Sequence, residues 1–469
     1  MKPFCLYHVT LIGLMLTLSG CSALRSAPPP KPNLPAHWLS HSQPSAAFRA
    51  TDDFWASLGD PALPEILKQA LRQNDDLKLS ALRMKLAQLQ ANLTGLTRWP
   101  STAVSFNAGV SRPMTDINGV SPWMSRSAGM NVSLSYPLDI WGADLAQRDA
   151  ANLDAQASES DWLSARLAVC ASVAIARWQL GYLNRLLANT RADLEDARNT
   201  LQRAQIRYRS GATAHADVTF AQRSVADLQV ALSVNQQRLF ETRRTFSILM
   251  GDLPQRQQPE LDSLLDTPLP TPDAGLPADL LARRADVHAA ELRLRSSLAN
   301  SDATALSFYP SLTLTAGYGT ASPTLKHYLA NPIGSLAATL ALPFIQFNTA
   351  RITRQSAHVI YETEAVNFRK TLMQALKETE DALSARQRLI EQAQYLREAL
   401  ALAQEAERLT LTRWQQGSTD IQPWIDAQRA RRQASINLLQ NVLDSKINAV
   451  QLYAALGGRY TQRDPHKEV

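Results

Sequence analysis

Cys21 carries the clearest chemical signal in the 469-residue sequence. It follows Leu18-Ser19-Gly20, at the end of an apolar stretch that begins at Val9. Small residues before a cysteine match a bacterial lipobox, and the stretch has the length of a signal peptide. The pattern predicts removal of residues 1–20 and acylation of the Cys21 thiol, which anchors a protein in outer-membrane lipid. An ordinary cleavage site beside a stray cysteine is the alternative.

The other reactive side chains do not form a catalytic or metal-binding pattern. Cys170 lies among apolar residues and is interpreted as a small buried residue, so no structural disulfide is predicted. The sequence has no metal-ligand spacing, phosphate loop or nucleophile elbow. Glu378, Glu380 and Asp381 lie among basic residues, as in helix ion pairing. We therefore predict no enzyme activity, no cofactor and no metal site. The net charge of +6 is spread along the chain and predicts no nucleic-acid partner.

Four segments alternate apolar and polar residues, at about 101–111, 127–137, 310–319 and 335–343. In the first, Val104, Phe106 and Val110 interleave with small polar residues. About ten residues of such alternation suit a tilted membrane strand, although soluble hairpins alternate too. Four strands cannot close a wide barrel, and lipid forbids an open sheet edge. The sequence therefore predicts a barrel shared by several copies, with twelve strands from three.

Long helices are predicted between the strand pairs. Proline is absent from Leu138 to Leu253 and from Phe344 to Gln422, and strong helix formers dominate both stretches. The segment 142–211 would span about 100 Å at 1.5 Å per residue. Such helices are stable only when they pack in coiled-coil fashion. The fold class is therefore mainly α, with a membrane β part continued by a helical periplasmic tunnel.

The turns between these helices are predicted at two glycines. Gly211 and Gly417 suit the left-handed position that follows a helix. Thr213 and either Thr419 or Asp420 are predicted to cap the returning helices.

The chain is an internal duplication. At an offset of 210, Pro100 falls on Pro310; at an offset of 206, Arg207 and Gly211 fall on Arg413 and Gly417. Repetition at fixed offsets indicates a stacked or symmetric architecture. The predicted domains are a signal peptide (1–20), a lipidated N-terminus with a Pro-rich tether (21–60), a first repeat (61–254), a linker (255–275), a second repeat (276–458) and a polar tail (459–469).

The ordered motifs resemble the TolC-like outer-membrane factor family, in its NodT-type lipoprotein branch. The most distinctive is the run from Leu276 to Asp286, although Ala285 stands where the family usually has proline. The other motifs are Trp55 with Asp60-Pro61, Trp99-Pro100, the run from Tyr136 to Gly142, the run from Glu380 to Leu383, and the run from Tyr453 to Gly458.

The resemblance implies a homotrimer that works with a periplasmic adaptor and an inner-membrane RND-type transporter. It implies a passive gated duct, in the outer membrane, for drugs or other small toxic compounds. Two alternatives stay open, a duct for type I protein secretion and a structural coiled-coil lipoprotein without transport.

The resemblance also implies roles at the hairpin tips. Arg207, Gly211, Arg413 and Gly417 would dock the adaptor, although each arginine could only pair locally and each glycine only make its turn. Asp217 and Asp426 would form a periplasmic gate, since a trimer would carry them as rings of carboxylates at its narrow end. Charged rings at a constriction favour cations and stabilise a closed state through ionic contacts.

For Asp217 the alternative is a carboxylate that stabilises a helix N-terminus. In the second repeat, Pro423 occupies the position that corresponds to Asp217, in the first turn of the returning helix, where its missing N–H costs little.

Overall fold

A computed structural model describes residues 35–36, 38–39, 54–111, 125–264, 266–270, 277, 283–320, 322 and 331–458. The strands are β1 (Ser101–Ser111), β2 (Ser125–Leu138), β3 (Ser311–Thr320) and β4 (Pro332–Ala341). The helices are α1 (Leu63–Gln73), α2 (Asp75–Gly95), α3 (Ala143–Arg209), α4 (His215–Leu249), α5 (Ala285–Leu306), α6 (Phe347–Gln415) and α7 (Gln422–Ala455). The four predicted strands are confirmed, and so are the two long helices, at 67 residues in α3 and 69 in α6.

The four strands form one antiparallel sheet in the order β1-β2-β3-β4. In each ladder the start of one strand pairs with the end of its neighbour: Ser101 lies opposite Ser135, Leu138 opposite Leu312, and Ser311 opposite Ala341. All strand ends near the helices therefore lie at the same end of the sheet. Strands β1 and β4 are the two edges, and every residue of both is exposed.

The chain divides into two compact units. The first contains the sheet and the helix segments that adjoin it, in the described parts of 83–159 and 289–369. There, the Trp141 indole N–H donates to the carbonyl oxygen of Pro310 (2.7 Å). The Ser296 hydroxyl of α5 donates to the carbonyl oxygen of Ala150 in α3 (3.0 Å). These bonds join the helix that leaves β2 to the segment that enters β3.

The second unit contains the hairpins and the main core, in the described parts of 33–82, 160–288 and 370–469. Trp178, Phe54 and Phe246 are its largest fully buried side chains. Cys170 belongs to this core as an unpaired thiol, and burial raises its pKa to about 11. Its predicted role as a small apolar residue is confirmed. Among the described helices, none is apolar over the length that a membrane crossing needs.

A buried ion pair lies in the second unit. The Arg177 guanidinium donates to both carboxylate oxygens of Asp60 (2.5 and 3.3 Å) and to the carbonyl oxygen of Pro259 (2.8 Å). Both side chains are about 5% exposed. The pair therefore joins the segment before α1 to α3. Removing either partner would leave an uncompensated buried charge.

The two repeats make equivalent packing contacts just after their returning helices. Gly251 and Gly457 both have left-handed backbone angles, with φ of 72° and 87°. A Cβ atom on Gly251 would lie 2.1 Å from the carbonyl oxygen of Gln73, and one on Gly457 would lie 2.4 Å from that of Arg283. Each glycine therefore allows the end of a hairpin to press against the backbone that precedes α2 or α5.

Side chains reinforce both contacts. Asn74 caps α2 by accepting from the Leu77 N–H, and it donates to the carbonyl oxygen of Leu249 (2.9 Å). Arg284 holds the equivalent position, donates to the carbonyl oxygen of Ala455 (3.3 Å), and pairs with the carboxylates of Asp286 and Glu378 (2.7 and 2.8 Å). Arg284 and Asp286, which end the most distinctive motif of the sequence, thus join the start of α5 to α6 and to the end of α7.

Candidate functional site: the hairpin tips

The two hairpin turns have the same backbone geometry. Gly211 and Gly417 both have φ of 73°, as predicted. The residue after each glycine donates its N–H to the carbonyl oxygen of the arginine five positions earlier, Arg207 (2.8 Å) or Arg413 (3.0 Å). The glycine N–H donates a second bond to the carbonyl oxygen three positions earlier, that of Tyr208 or Trp414 (3.0 Å in both turns). The two bonds together are the Schellman arrangement. The repeated Arg-x-x-x-Gly spacing is therefore the spacing of a helix C-terminus, and its backbone part would form with many other side chains at the arginine position.

The capping predictions were wrong. Helix α4 begins after Ala214 and α7 after Ile421, and neither end has a side-chain cap. The Thr213 hydroxyl donates instead to the carboxylate of Asp217. Residues Thr419 and Asp420 lie in the exposed turn before α7. Pro423 lies in the first turn of α7, as predicted.

A cluster of apolar residues joins the two hairpins just behind the turns; we call it the tip cluster. Its members come from α3, α4, α6, α7 and the turn before α7: Ala204, Val218, Ala221, Trp414, Ile421, Trp424 and Ile425. Trp414 and Trp424 stack with their ring centroids 4.8 Å apart. The Trp424 indole N–H is the one buried side-chain polar atom without a partner in the described structure.

The two tip arginines have different environments. Arg207 donates to the carbonyl oxygen of Trp414 (2.7 Å) and places its guanidinium 4.9 Å from the centre of that ring. It therefore crosses from the first hairpin to the second. Arg413 is exposed, and its side chain has no partner among the described residues. At the first tip the residue equivalent to Trp414 is Tyr208, which is half-exposed and contacts His215 edge-on.

The two predicted gate carboxylates also differ. Asp217 is 4% exposed and bonds to Thr213, so in the protomer it supports the turn and the first residues of α4. Asp426 is 54% exposed and accepts from the Gln422 amide (2.9 Å). The two carboxylates therefore have different environments in the protomer.

A charged group that the sequence analysis did not assign surrounds Asp426. Arg429 lies 3.7 Å from Asp426 on its own helix and 3.7 Å from Asp227 on α4. One arginine thus lies between two carboxylates on an exposed face of α4 and α7. The signal was present, because Arg429 is one of the residues repeated at the 206-residue offset, as Arg223.

Deeper along the hairpins, Arg431 joins three helices. It lies 2.7 Å from Asp193 of α3 and 2.7 Å from Glu407 of α6. Burial lowers the pKa of the Arg431 guanidinium, but the two carboxylates outweigh this effect and hold the pKa above its usual value. The three side chains are at most 27% exposed, so this network holds α7 in place behind the tip.

Several predicted features fall outside the described residues, including Cys21 and most of the run from Leu276 to Asp286. Within the described chain, no group of three or more histidine, cysteine or acidic side chains has a metal-binding arrangement. The tips therefore present backbone turns, aromatic rings and ion pairs. These groups suit contact with another protein or the control of a constriction.

Four membrane-type strands joined to two helical hairpins define the class as an outer-membrane channel protein. The family model of the outer membrane efflux protein matches residues 66–252 and 276–458. This match covers most of the chain, so the protein belongs to the outer membrane efflux protein family.

Curated relatives match over nearly their full length. The chain is 28% identical over 468 residues to the pyoverdine export outer membrane protein OpmQ of Pseudomonas putida, with 98% of each chain covered. It is 27% identical over 478 residues to the toluene efflux pump outer membrane protein TtgC of the same species, with 97% of this chain and 96% of the relative covered.

Solved structures share the fold. The outer-membrane channel OprN matches with a TM-score of 0.83 at 21% identity, covering 92% of this chain and 99% of that one. The Campylobacter jejuni CmeC outer membrane channel matches with a TM-score of 0.81 at 19% identity, covering 94% and 95%. The protein is thus an efflux component located in the outer membrane.

Proposed function

We propose that three copies of the chain close into a passive, gated duct that exports small toxic organic compounds through the outer membrane. The observation that carries this proposal is the sheet β1–β4, whose two edge strands expose their backbone and apolar side chains such as Val104 and Phe106. An open edge is not stable in lipid, because each unpaired backbone group costs several kcal/mol. Neighbouring copies remove both edges, and three copies supply twelve strands.

The helices would extend the duct into the periplasm. Helices α3 and α6 are each about 100 Å long at 1.5 Å per residue. A periplasmic adaptor would dock at the tips around Gly211 and Gly417, whose turn backbone is exposed. An RND-type transporter in the inner membrane would supply the energy. A relative is named as the outer-membrane protein of an efflux pump, which supports a duct that works together with other pump components.

The Cys21 thiol would carry the lipid that anchors the N-terminus. Multiple acyl chains anchor firmly, because each buried methylene contributes about 0.8 kcal/mol. Intact-mass measurement of the purified wild type and Cys21→Ser tests this role. Acylation predicts that the wild type is heavier than Cys21→Ser by the mass of the acyl groups. Two masses that differ only by the substitution would contradict this role.

The cargo class follows from the relatives as a group. Their names specify pyoverdine, toluene and antibiotics, which are all small organic molecules. We therefore favour small organic compounds over secreted proteins for this duct.

The gate would involve Asp426, Arg429 and Asp227. These residues form an exposed charged group near the tip, where three copies would bring three such groups around one axis. Ionic contacts of this kind can hold a constriction closed, and their carboxylates favour cations. Asp217 is buried, so we assign it to the turn that supports this group.

Single-channel conductance in planar bilayers tests both the duct and the gate. We expect a small cation-selective conductance in the wild type and a several-fold larger one in Asp426→Ala and Arg429→Ala. Asp420→Ala is the matched control, because Asp420 is an exposed carboxylate at the same tip. An equal increase in all three variants would refute the specific gate. The absence of conductance in all of them, with assembled protein confirmed, would refute the duct.

A further inference from the structure

We propose that a basic cavity in the second repeat binds a small organic carboxylate with an apolar body, at a site away from the hairpin tips. The cavity has a volume of about 260 Å³ and is lined by α6, by α7 and by Asp266, Thr267 and Leu269 of the linker between the repeats. Its residues on α6 lie about 30–45 Å along the helix from the turn at Gly417, at 1.5 Å per residue.

The lining of the cavity carries an excess of positive charge. Arg386, Arg397 and Lys446 are its cationic side chains, and Asp266 is the one carboxylate among the described residues that line it. Arg397 pairs with Asp266 (3.0 Å). The other two cations therefore give the cavity a net charge that suits an anion.

Lys446 is a buried cation whose direct partners are neutral. It is 3% exposed, and its ammonium donates to the carbonyl oxygen of Leu58 (3.3 Å) and to the hydroxyl of Thr267 (2.9 Å). An ammonium has three donors, and among the described residues no carboxylate lies within ion-pair distance of this one. Burial lowers the pKa of Lys446 more than the carboxylates of Asp266 and Asp60, which lie farther away, raise it. A buried cation of this kind is stabilised by a direct counterion.

The first repeat shows how the same groove looks when it is filled. Four buried leucines close the groove between α3 and α4, and all belong to the main core with at most 7% exposure: Leu180, Leu183, Leu187 and Leu239. The 206-residue offset maps these leucines onto Arg386, Leu389, Ala393 and Ser445, all of which line the cavity. Two of the positions thus hold smaller side chains and a third holds a guanidinium. The second repeat has exchanged apolar core volume for space and positive charge.

The rest of the lining defines the class of ligand. Leu269, Leu389, Ile390 and Val442 give the cavity an apolar wall, which an inorganic anion would leave without contacts. Drug-sized ligands occupy about 300–1,000 Å³, so this cavity suits a smaller molecule. A carboxylate matches the paired N–H donors of a guanidinium such as that of Arg386. The ligand is therefore a small organic acid, held by its carboxylate at the cations and by its apolar body at the wall.

A ligand in this cavity would join the linker to the second hairpin, because Thr267 and Leu269 lie on one side and α6 and α7 on the other. A ligand that binds only the folded protein stabilises it. The inference concerns one protomer and does not depend on the proposed duct.

Fluorine NMR of the full-length protein in nanodiscs tests the site, with 4-fluorobenzoate as the probe. The ligand control is 4-fluorobenzamide, which keeps the aromatic body and removes the charge. Arg386→Met removes a cation from the lining, and its matched control is Arg388→Met, because Arg388 is exposed on the same helix and does not line the cavity.

A second variant fills the cavity without removing a charge. Ala393→Leu restores the residue that the first repeat has at Leu187, so the helix is expected to tolerate it. Its matched control is Ala399→Leu, at an exposed position of α6 outside the cavity. Circular dichroism confirms that each variant is folded.

We expect saturable binding of 4-fluorobenzoate to the wild type and to both control variants. Binding should be at least about ten-fold weaker in Arg386→Met and in Ala393→Leu, the effect of losing one charge-assisted hydrogen bond or an equivalent contact. The amide should bind the wild type more weakly by a similar factor. Equal binding by the folded variants and their controls, or no saturable binding to the wild type, would overturn the site. Equal binding of the amide would overturn the carboxylate class. The duct is tested separately by its conductance, which none of these outcomes addresses.

Discussion

A glycine-to-alanine comparison isolates the contact that the duplication repeats at the end of each hairpin. Gly211 and Gly251 have nearly identical left-handed backbones, with φ of 73° and 72°. An alanine at either position therefore has the same conformational cost, about 1–2 kcal/mol. The surroundings differ. No described atom lies within 4 Å of a Cβ on Gly211, whereas a Cβ on Gly251 would lie 2.1 Å from the carbonyl oxygen of Gln73.

The clash determines the expected difference. Backbone cannot move aside as a flexible side chain can, so the returning helix must shift by about an ångström. Overpacking of this kind typically costs about 1–3 kcal/mol, and sometimes more. We therefore expect Gly251→Ala to cost roughly 2–5 kcal/mol in total and Gly211→Ala only about 1–2. At about 2 °C per kcal/mol, the melting temperatures should fall by roughly 4–10 °C and 2–4 °C.

Circular dichroism of the detergent-solubilised variants, at one scan rate, measures both shifts. Gly457→Ala, whose Cβ would lie 2.4 Å from the carbonyl oxygen of Arg283, should behave like Gly251→Ala. Equal losses in the Gly211 and Gly251 variants would refute the argument, since the backbone angle alone would then explain them.

Three further predictions concern charged groups. Arg177→Ala should destabilise the fold by about 3–5 kcal/mol, because Asp60 stays buried without its partner; chemical denaturation measures this, and a loss below about 1 kcal/mol would contradict it. Arg207→Ala should make the tips more susceptible to limited proteolysis, whereas Arg413→Ala should not, because only Arg207 contacts Trp414; equal cleavage of both would contradict the asymmetry. Burial raises the pKa of Asp286, but the adjacent guanidinium outweighs it and holds that pKa below its usual value. The pair should therefore stabilise the fold above the ordinary carboxyl pKa and lose this effect as the pH falls through the lowered pKa. Melting temperatures measured from pH 7 to 3 should then fall less steeply in Asp286→Asn than in the wild type. Parallel curves for the two proteins would contradict the assignment.

Local patterns predicted most of the architecture from the sequence. Strand alternation depends on a two-residue period, and the turns at Gly211 and Gly417 depend on a backbone angle that glycine adopts easily. The long helices follow from composition and the absence of proline. These features depend on residues close together in the chain, so the sequence determines them directly.

The roles of individual polar residues needed the tertiary structure. Thr213 has the right type and position for a helix cap, but its hydroxyl bonds to Asp217 because the helix begins one residue later. Two equivalent arginines, Arg207 and Arg413, differ because only the first faces the tryptophan of the other hairpin.

The repeated unit, with its strands, helices and turns and the offsets that relate its two copies, follows from the order of the residues alone. Which faces of that unit are covered depends on the three-dimensional arrangement. Leu82 and Leu292 occupy equivalent positions in two helices, yet one is exposed and the other buried. The physical reason is that burial depends on which segments meet in space. The edges of a four-stranded sheet leave the first repeat's helix without the neighbour that the second repeat's helix has within the same chain.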